Sequence, residues 1–299
     1  MSRRRGQGVP WCTLPFLLGV GLFILLPAAL AVVLSLCQWS LSGPIRWVGL
    51  ANYIRLLWGQ GQGPDPLFLQ ALGNTLVIAL AVPLQVAGSF LLAMYLSRPT
   101  LARQGLRLVV FLPTLVSPVA LYLTWRWVLN PDFGLLAQCL AGLGLAGPAW
   151  LEDPAWSKPA VMLVILWESL GGFQMLVFLA GFRQIPRQMH EMAWLDGLGP
   201  WQKFRLVHLP WLSRLFLFNL CLGFLGALQG GFEIAYLMTG GGPLRSTTTL
   251  SYYLFENAFQ WQRVGYGATV GLAIFALGLP LLVLIRALGG RGKANGRQP

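Results

Sequence analysis

The sequence predicts an all-α polytopic membrane protein with six transmembrane helices and both termini in the cytoplasm. Three observations predict it. Only 10% of the 299 residues are charged while 56% are hydrophobic, and a soluble domain carries about 25% charged residues. The charges cluster and leave uncharged runs long enough to cross a bilayer, which takes roughly 17–25 mostly apolar residues. Lys and Arg gather in alternate segments between those runs, as they do when positive loops stay inside.

The spans follow in order. Residues 6–45 carry no charge and give a first span at about 12–36. Arg3, Arg4 and Arg5 before it imitate a signal peptide, but the run exceeds an apolar core of roughly 7–15 residues. It is read as an uncleaved span. Residues 66–97 are also uncharged and give a second span at 73–96. The third, 106–129, surrounds the uncharged run from Arg107 to Arg126. The fourth, 159–182, lies between Lys158 and Arg183 and is interrupted by Glu168. The fifth, 213–238, starts near Arg214 and runs past Glu233. The sixth, 264–286, fills the gap from Arg263 to Arg286. Tails 1–11 and 289–299 flank a transmembrane domain of 12–288. Pro27, Pro83, Pro113, Pro118 and Pro280 punctuate the spans, as neighbouring helices permit by satisfying the freed carbonyls.

Residues 133–151 are uncharged but hold Gly134, Gly142, Gly144, Gly147 and Pro148. They read as a short interfacial helix and turn. A seventh span there would put the most basic loop outside. With the N-terminus inside, the outer segments hold only Arg46, Arg55, Arg126, Lys158, Arg245 and Arg263, and every other Lys and Arg falls inside. The net charge of +12 therefore reflects orientation rather than nucleic-acid binding, for which a basic stripe would be needed. Cys12, Cys37, Cys139 and Cys221 form no C-x-x-C pair and read as packing residues. No metal site is expected.

The most informative segment is the inner loop 183–212. Pro186 suits a first helical turn, and residues 187–195 alternate polar and apolar at helical spacing. Gly197 and Gly199 stop that helix and Pro200 prevents its continuation. A second amphipathic stretch follows, with Trp201, Phe204 and Val207 on one side and Lys203 and Arg205 among its polar positions. Pro210 is expected to end it before the fifth span. His190 and His208 also lie here, where packing is the expected role rather than pH sensing.

This loop resembles the EAA loop of ATP-binding-cassette importer permeases. The family pattern is Glu-Ala-Ala, three residues, Gly, nine residues, then Ile-x-Leu-Pro. The chain has Glu191-Met192-Ala193, Gly197 and Val207-His208-Leu209-Pro210 at the same spacing. Met192 and Val207 depart from the pattern, and each remains apolar. Leu179–Pro186, Phe232–Pro243 and Trp150–Pro154 resemble the carbohydrate-type members. The resemblance implies a type I importer permease fold. It implies coupling to an ATPase through Glu191, Met192, Ala193, Asp196, Gly197, Lys203, Leu209 and Pro210. It also implies a second permease subunit, two cytoplasmic ATP-binding subunits and an extracytoplasmic solute-binding protein, in a bacterial inner membrane. The solute expected is a mono- or oligosaccharide, a polyol or a glycerol phosphate.

No enzyme activity is expected of the chain itself. The sequence has no phosphate-binding G-x-x-x-x-G-K-[ST] motif, so ATP is expected on a partner. Gly240-Gly241-Gly242-Pro243 reads as an outer turn. A charge at the bilayer centre costs about 2.5–3.5 kcal/mol, so Glu168 and Glu233 need partners or water. With Trp167, Gln174, Gln229 and Tyr236 they combine rings and hydrogen-bonding groups suited to a sugar; the same residues could instead tie helices together. An ion-coupled secondary transporter is the rival reading, and it expects inverted repeats that the sequence does not display.

Overall fold

The computed structural model describes residues 13–41, 43–59, 63–97 and 100–294. The expected tail 1–11 with its three arginines, Cys12, Arg98 and Arg297 lie outside the described residues. In chain order the elements are α1 (Leu14–Ser35), β1 (Cys37–Gln38), β2 (Arg46–Trp47), α2 (Ala51–Trp58) and α3 (Pro66–Leu96). Then come α4 (Leu101–Leu115), α5 (Pro118–Val128), α6 (Leu135–Gly142), α7 (Pro154–Ser169), α8 (Phe173–Arg183) and α9 (Arg187–Leu195). The chain continues with α10 (Pro200–Gln229), α11 (232–239), α12 (Leu250–Phe255) and α13 (Val264–Ala294).

Four of these helices, α1, α3, α10 and the Val264–Ala287 part of α13, are long and apolar enough to cross a membrane. Two bent pairs qualify only when each is taken together: α4 with α5, bent by 95°, and α7 with α8, bent by 44°. The expected third and fourth spans are thus broken helices. The first break has a local cause. Ser117 precedes Pro118, and a residue before proline is pushed from helical to extended backbone; Val116 and Ser117 have ψ of 140° and 131°. The second break falls at Gly171-Gly172, where a Cβ on Gly171 would lie 2.0 Å from the Val110 carbonyl oxygen. Close approach of α4 requires the bare backbone there. Pro27, Pro83 and Pro280 lie inside continuous helices. The stretch 133–151 forms the eight-residue α6 and then an irregular turn.

The chain divides into two compact units. The first holds the residues up to Asp65 together with Tyr253–Ala273. No apolar side chain of α1 is fully buried, although Val20, Ala31 and Leu34 are half-buried, so most of its apolar surface is free to face lipid or another chain. The hairpin pairs Cys37 with Trp47 and Gln38 with Arg46. The Asn52 amide donates to the Ser35 and Cys37 carbonyls at 2.8 and 3.0 Å. Asp65 accepts from the Tyr253 and Tyr266 hydroxyls at 2.8 and 2.5 Å.

The second unit, Pro66–Tyr252 with the residues from Ile274 on, holds the main core. There α3 packs against α7, α8 and α10. Phe90 sits at the centre, its ring 5.1 to 5.9 Å from those of Phe178, Phe182, Phe204 and Phe216. Edge-on contacts of this kind add to the burial of the rings.

Candidate functional site

Two groupings within the second unit contain the residues singled out in the sequence. The first is the loop between α8 and α10. Its first helix, α9, spans the expected residues and ends where Gly197 adopts φ +65°. The Gly199 N–H donates to Gln202 Oε1 at 2.9 Å, which with Pro200 in the first turn starts α10. Ala193 is buried in one cluster with Phe182, Ile185, Val207 and Leu212. The ring of His208 lies 5.4 Å from Phe182 and 5.7 Å from His190. Burial lowers the pKa of His208 to about 4, assisted by His190 and Lys203, and lowers that of His190 as well. Both are therefore neutral packing groups at pH 7.

The other side of the loop is solvent-facing and apolar. Met192 is 59% exposed, Trp194 79%, Leu195 76% and Trp201 70%. Glu191, Asp196 and Gly197 are exposed among them, Lys203 is half-buried, and Leu209 and Pro210 are exposed. Met192 points away from the core, so its bulk costs no packing. Pro210 does not end the second helix, contrary to expectation. A π-turn at Phe204–His208 precedes it, in which the Leu209 N–H reaches the Phe204 carbonyl. The extra residue in that turn absorbs the proline, which has no N–H to give, and α10 continues to Gln229.

The second grouping surrounds Glu168, which stands just before the break between α7 and α8. Tyr122 on α5 donates to its carboxylate at 3.1 Å. Trp125 packs edge-on against Trp167 with centroids 5.3 Å apart. The segment 232–239 packs against α5 and α7, which brings the exposed Glu233 within electrostatic range of Glu168. It is held there by Arg126, whose guanidinium donates to the Leu237 carbonyl at 3.4 Å. Tyr236 stacks on Phe232 at 5.5 Å, and Tyr252 lies 6.2 Å from both rings.

Trp167, Glu168, Glu233 and Tyr236 thus belong to one region. Gln174 does not: it is buried beyond the α7–α8 break, and its amide donates to the Asn219 carbonyl at 3.5 Å. Gln229 is exposed at the end of α10. Tyr122 and Trp125 were not singled out from the sequence. Their signal was an aromatic stripe, three residues apart on the helix that also carries Arg126.

The Gly240-Gly241-Gly242 turn expected on the outer side is locked by hydroxyls. Thr247 and Thr248 donate to the Gly242 and Gly241 carbonyls at 2.9 and 3.1 Å. Asn74 of α3 donates to the Arg245 and Thr248 carbonyls at 2.7 and 3.0 Å.

Residues 67–292 match the family of binding-protein-dependent transport system inner membrane components. The chain belongs to this family. Among curated relatives of this inner membrane component, the lactose transport system permease protein LacF of Rhizobium radiobacter is 33% identical over 85% of each chain. The sulfoquinovosyl glycerol transport system permease protein SmoG of Agrobacterium fabrum is 32% identical over 87% of this chain and 83% of its own. The probable ABC transporter permease protein YurN of Bacillus subtilis is 32% identical over 88% and 89%. A chain in the crystal structure of a bacterial alginate ABC transporter, in complex with its alginate pentasaccharide-bound periplasmic protein, superposes with a TM-score of 0.81. It is 22% identical, and the match covers 94% of this chain and 93% of that one. The fold is therefore that of an ABC importer permease, and the helical membrane class expected from the sequence is correct.

Proposed function

We propose that this chain is the permease subunit of an ATP-driven importer that moves a sugar or sugar-like solute across the bacterial inner membrane. It would work with a second permease, two cytoplasmic ATP-binding subunits and an extracytoplasmic solute-binding protein. The names of the relatives, which include lactose and sulfoquinovosyl glycerol systems, support the solute class.

The observation that carries the reading is the exposed apolar face of the α9 loop. Among the described residues, Met192, Trp194 and Leu195 stay mostly exposed, and Trp201 does so although it stacks on Phe204 at 5.2 Å. Exposed large apolar groups beside polar ones mark protein interaction sites. In the six-span reading, with each bent pair taken as one span and residues 183–212 inside, this face meets the ATPase. Alternating access would follow from rocking of the bundle as the ATPases close. The second grouping then supplies solute contacts: Glu168 and Glu233 for hydroxyl edges, and Trp167, Tyr236 and Phe232 for apolar sugar faces.

The test is Trp194→Asp in the reconstituted transporter. Membrane insertion should persist, while ATPase stimulation by solute-loaded binding protein falls by about tenfold or more, as for loss of an aromatic anchor. Unchanged stimulation and uptake would overturn the proposal.

A further inference from the structure

The loop has a second feature besides its exposed apolar face. On the side that faces the helix ends there is a cavity of about 620 Å³. Its walls come from the ends of α3 and α8, the start of α4 and the loop itself. Five of its lining residues are basic or imidazole groups: Arg103, Arg183, His190, Lys203 and His208. None of its lining residues is an Asp or Glu.

Among the described residues, two buried polar atoms in this cavity have no hydrogen-bond partner: Arg103 Nη1 and His208 Nδ1. Buried donors are rarely left unsatisfied, and leaving one in a charged group is costly. At the end of α3 the Leu96 carbonyl is already used, because Arg107 donates to it through Nε at 3.1 Å and through Nη2. The Arg103 guanidinium is held in place by lying 4.8 Å from the centre of the Tyr95 ring. The cavity thus presents preset donors, positive charge and no internal counter-ion.

We infer that this cavity binds a phosphate oxyanion, with Arg103 and Lys203 as its principal ligands and the His208 ring as an added donor. Arg forks and Lys point charges are the side chains that recognise phosphate oxygens. Two sources share that chemistry: the headgroup of an anionic phospholipid, or free phosphate. The lipid source rests on the proposed inner-side placement of the loop, where basic pockets between helix ends hold headgroups. The free-phosphate source needs no such placement.

The experiment uses the assembled transporter, purified with its partner subunits in detergent and free of nucleotide. Retention of phosphatidylglycerol and of phosphatidylcholine is counted by native mass spectrometry, with and without millimolar inorganic phosphate. The unmodified transporter should retain phosphatidylglycerol in preference to phosphatidylcholine, or bind inorganic phosphate in its place. Arg103→Gln should weaken that binding by about tenfold, the worth of a charge-assisted hydrogen bond. Lys203→Gln should do the same and serves if Arg103→Gln fails to assemble, while Arg103→Lys should weaken it less.

Displacement of phosphatidylglycerol by inorganic phosphate identifies free phosphate as the ligand. Retention that phosphate leaves untouched identifies the headgroup. Equal retention of both lipids with no phosphate binding overturns the inference. So does anion binding that the variants do not change, or that emerges only once the ATPase subunits are stripped away. The readout is binding without turnover, so its failure is separable from failure of the transport reading.

Discussion

Glu168 is the residue on which the solute-pathway proposal is most exposed to test. Its carboxylate is half-buried, and Tyr122 is the donor that steadies it. If it contacts solute hydroxyls, Glu168→Gln keeps shape and hydrogen bonding, while Glu168→Ala removes both. Uptake rate should fall modestly in the first and by about tenfold in the second, with assembly intact; equal rates would assign Glu168 to helix tying alone. His208 permits a test of the loop's packing. Its pKa is about 6.5 when unfolded and about 4 when folded. Above pH 6.5 the ring is neutral in both states and contributes no pH dependence. Below that value the unfolded chain takes up the proton and the folded chain does not, so stability falls between pH 6.5 and pH 4. The melting temperature should drop more steeply from pH 7 to pH 5 in the unmodified protein than in His208→Gln.

The broken helices are the elements that sequence reasoning and structure describe differently. Prolines punctuate the spans, as neighbouring helices permit, and Pro27, Pro83 and Pro280 indeed leave their helices continuous. A proline frees one carbonyl, and a packed neighbour or a π-turn can absorb that locally. The break between α7 and α8 has another origin, the approach of the Val110 backbone to Gly171, sixty residues away in sequence and invisible in any local pattern. Gly171→Val should therefore cost about 1–3 kcal/mol or more by overpacking, read as a lowered melting temperature in detergent. Gly73→Ala, with nothing within 4 Å of its added Cβ, should be neutral or slightly stabilising. The α9 loop, by contrast, was legible because Pro186, Gly197, Gly199 and Pro200 each act on their own neighbours. Even there Pro210 was misjudged, since its fate depends on the turn before it. The pairing of Tyr122 with Glu168 was hidden for the same reason as the Gly171 contact: it joins two elements that only tertiary packing brings together.

For the whole molecule, membrane class was readable from charge, because lipid excludes charge at every depth; the proposed orientation rests on the retention of Lys and Arg on one side. The proposed six-span arrangement makes a direct prediction. In a chain whose accessible native cysteines are replaced, Trp201→Cys should react with a membrane-impermeant maleimide only in inside-out vesicles. Arg46→Cys should react only in right-side-out cells. Labelling of Trp201→Cys from outside would reverse the orientation and remove the ATPase from the reading.

The absorbed proline has a mechanical consequence. Because α10 runs unbroken through all 30 residues from Pro200 to Gln229, it measures about 45 Å at 1.5 Å per residue. Apart from the π-turn at Phe204–His208, α10 has no break in which a displacement at Trp201 could dissipate before the far end, beside Gly230 and the aromatic rings beyond. In the proposed importer one stiff strut would bridge the distance from nucleotide to cargo, and two glycines placed after Pro210 would turn it into a hinge that bends instead of transmitting.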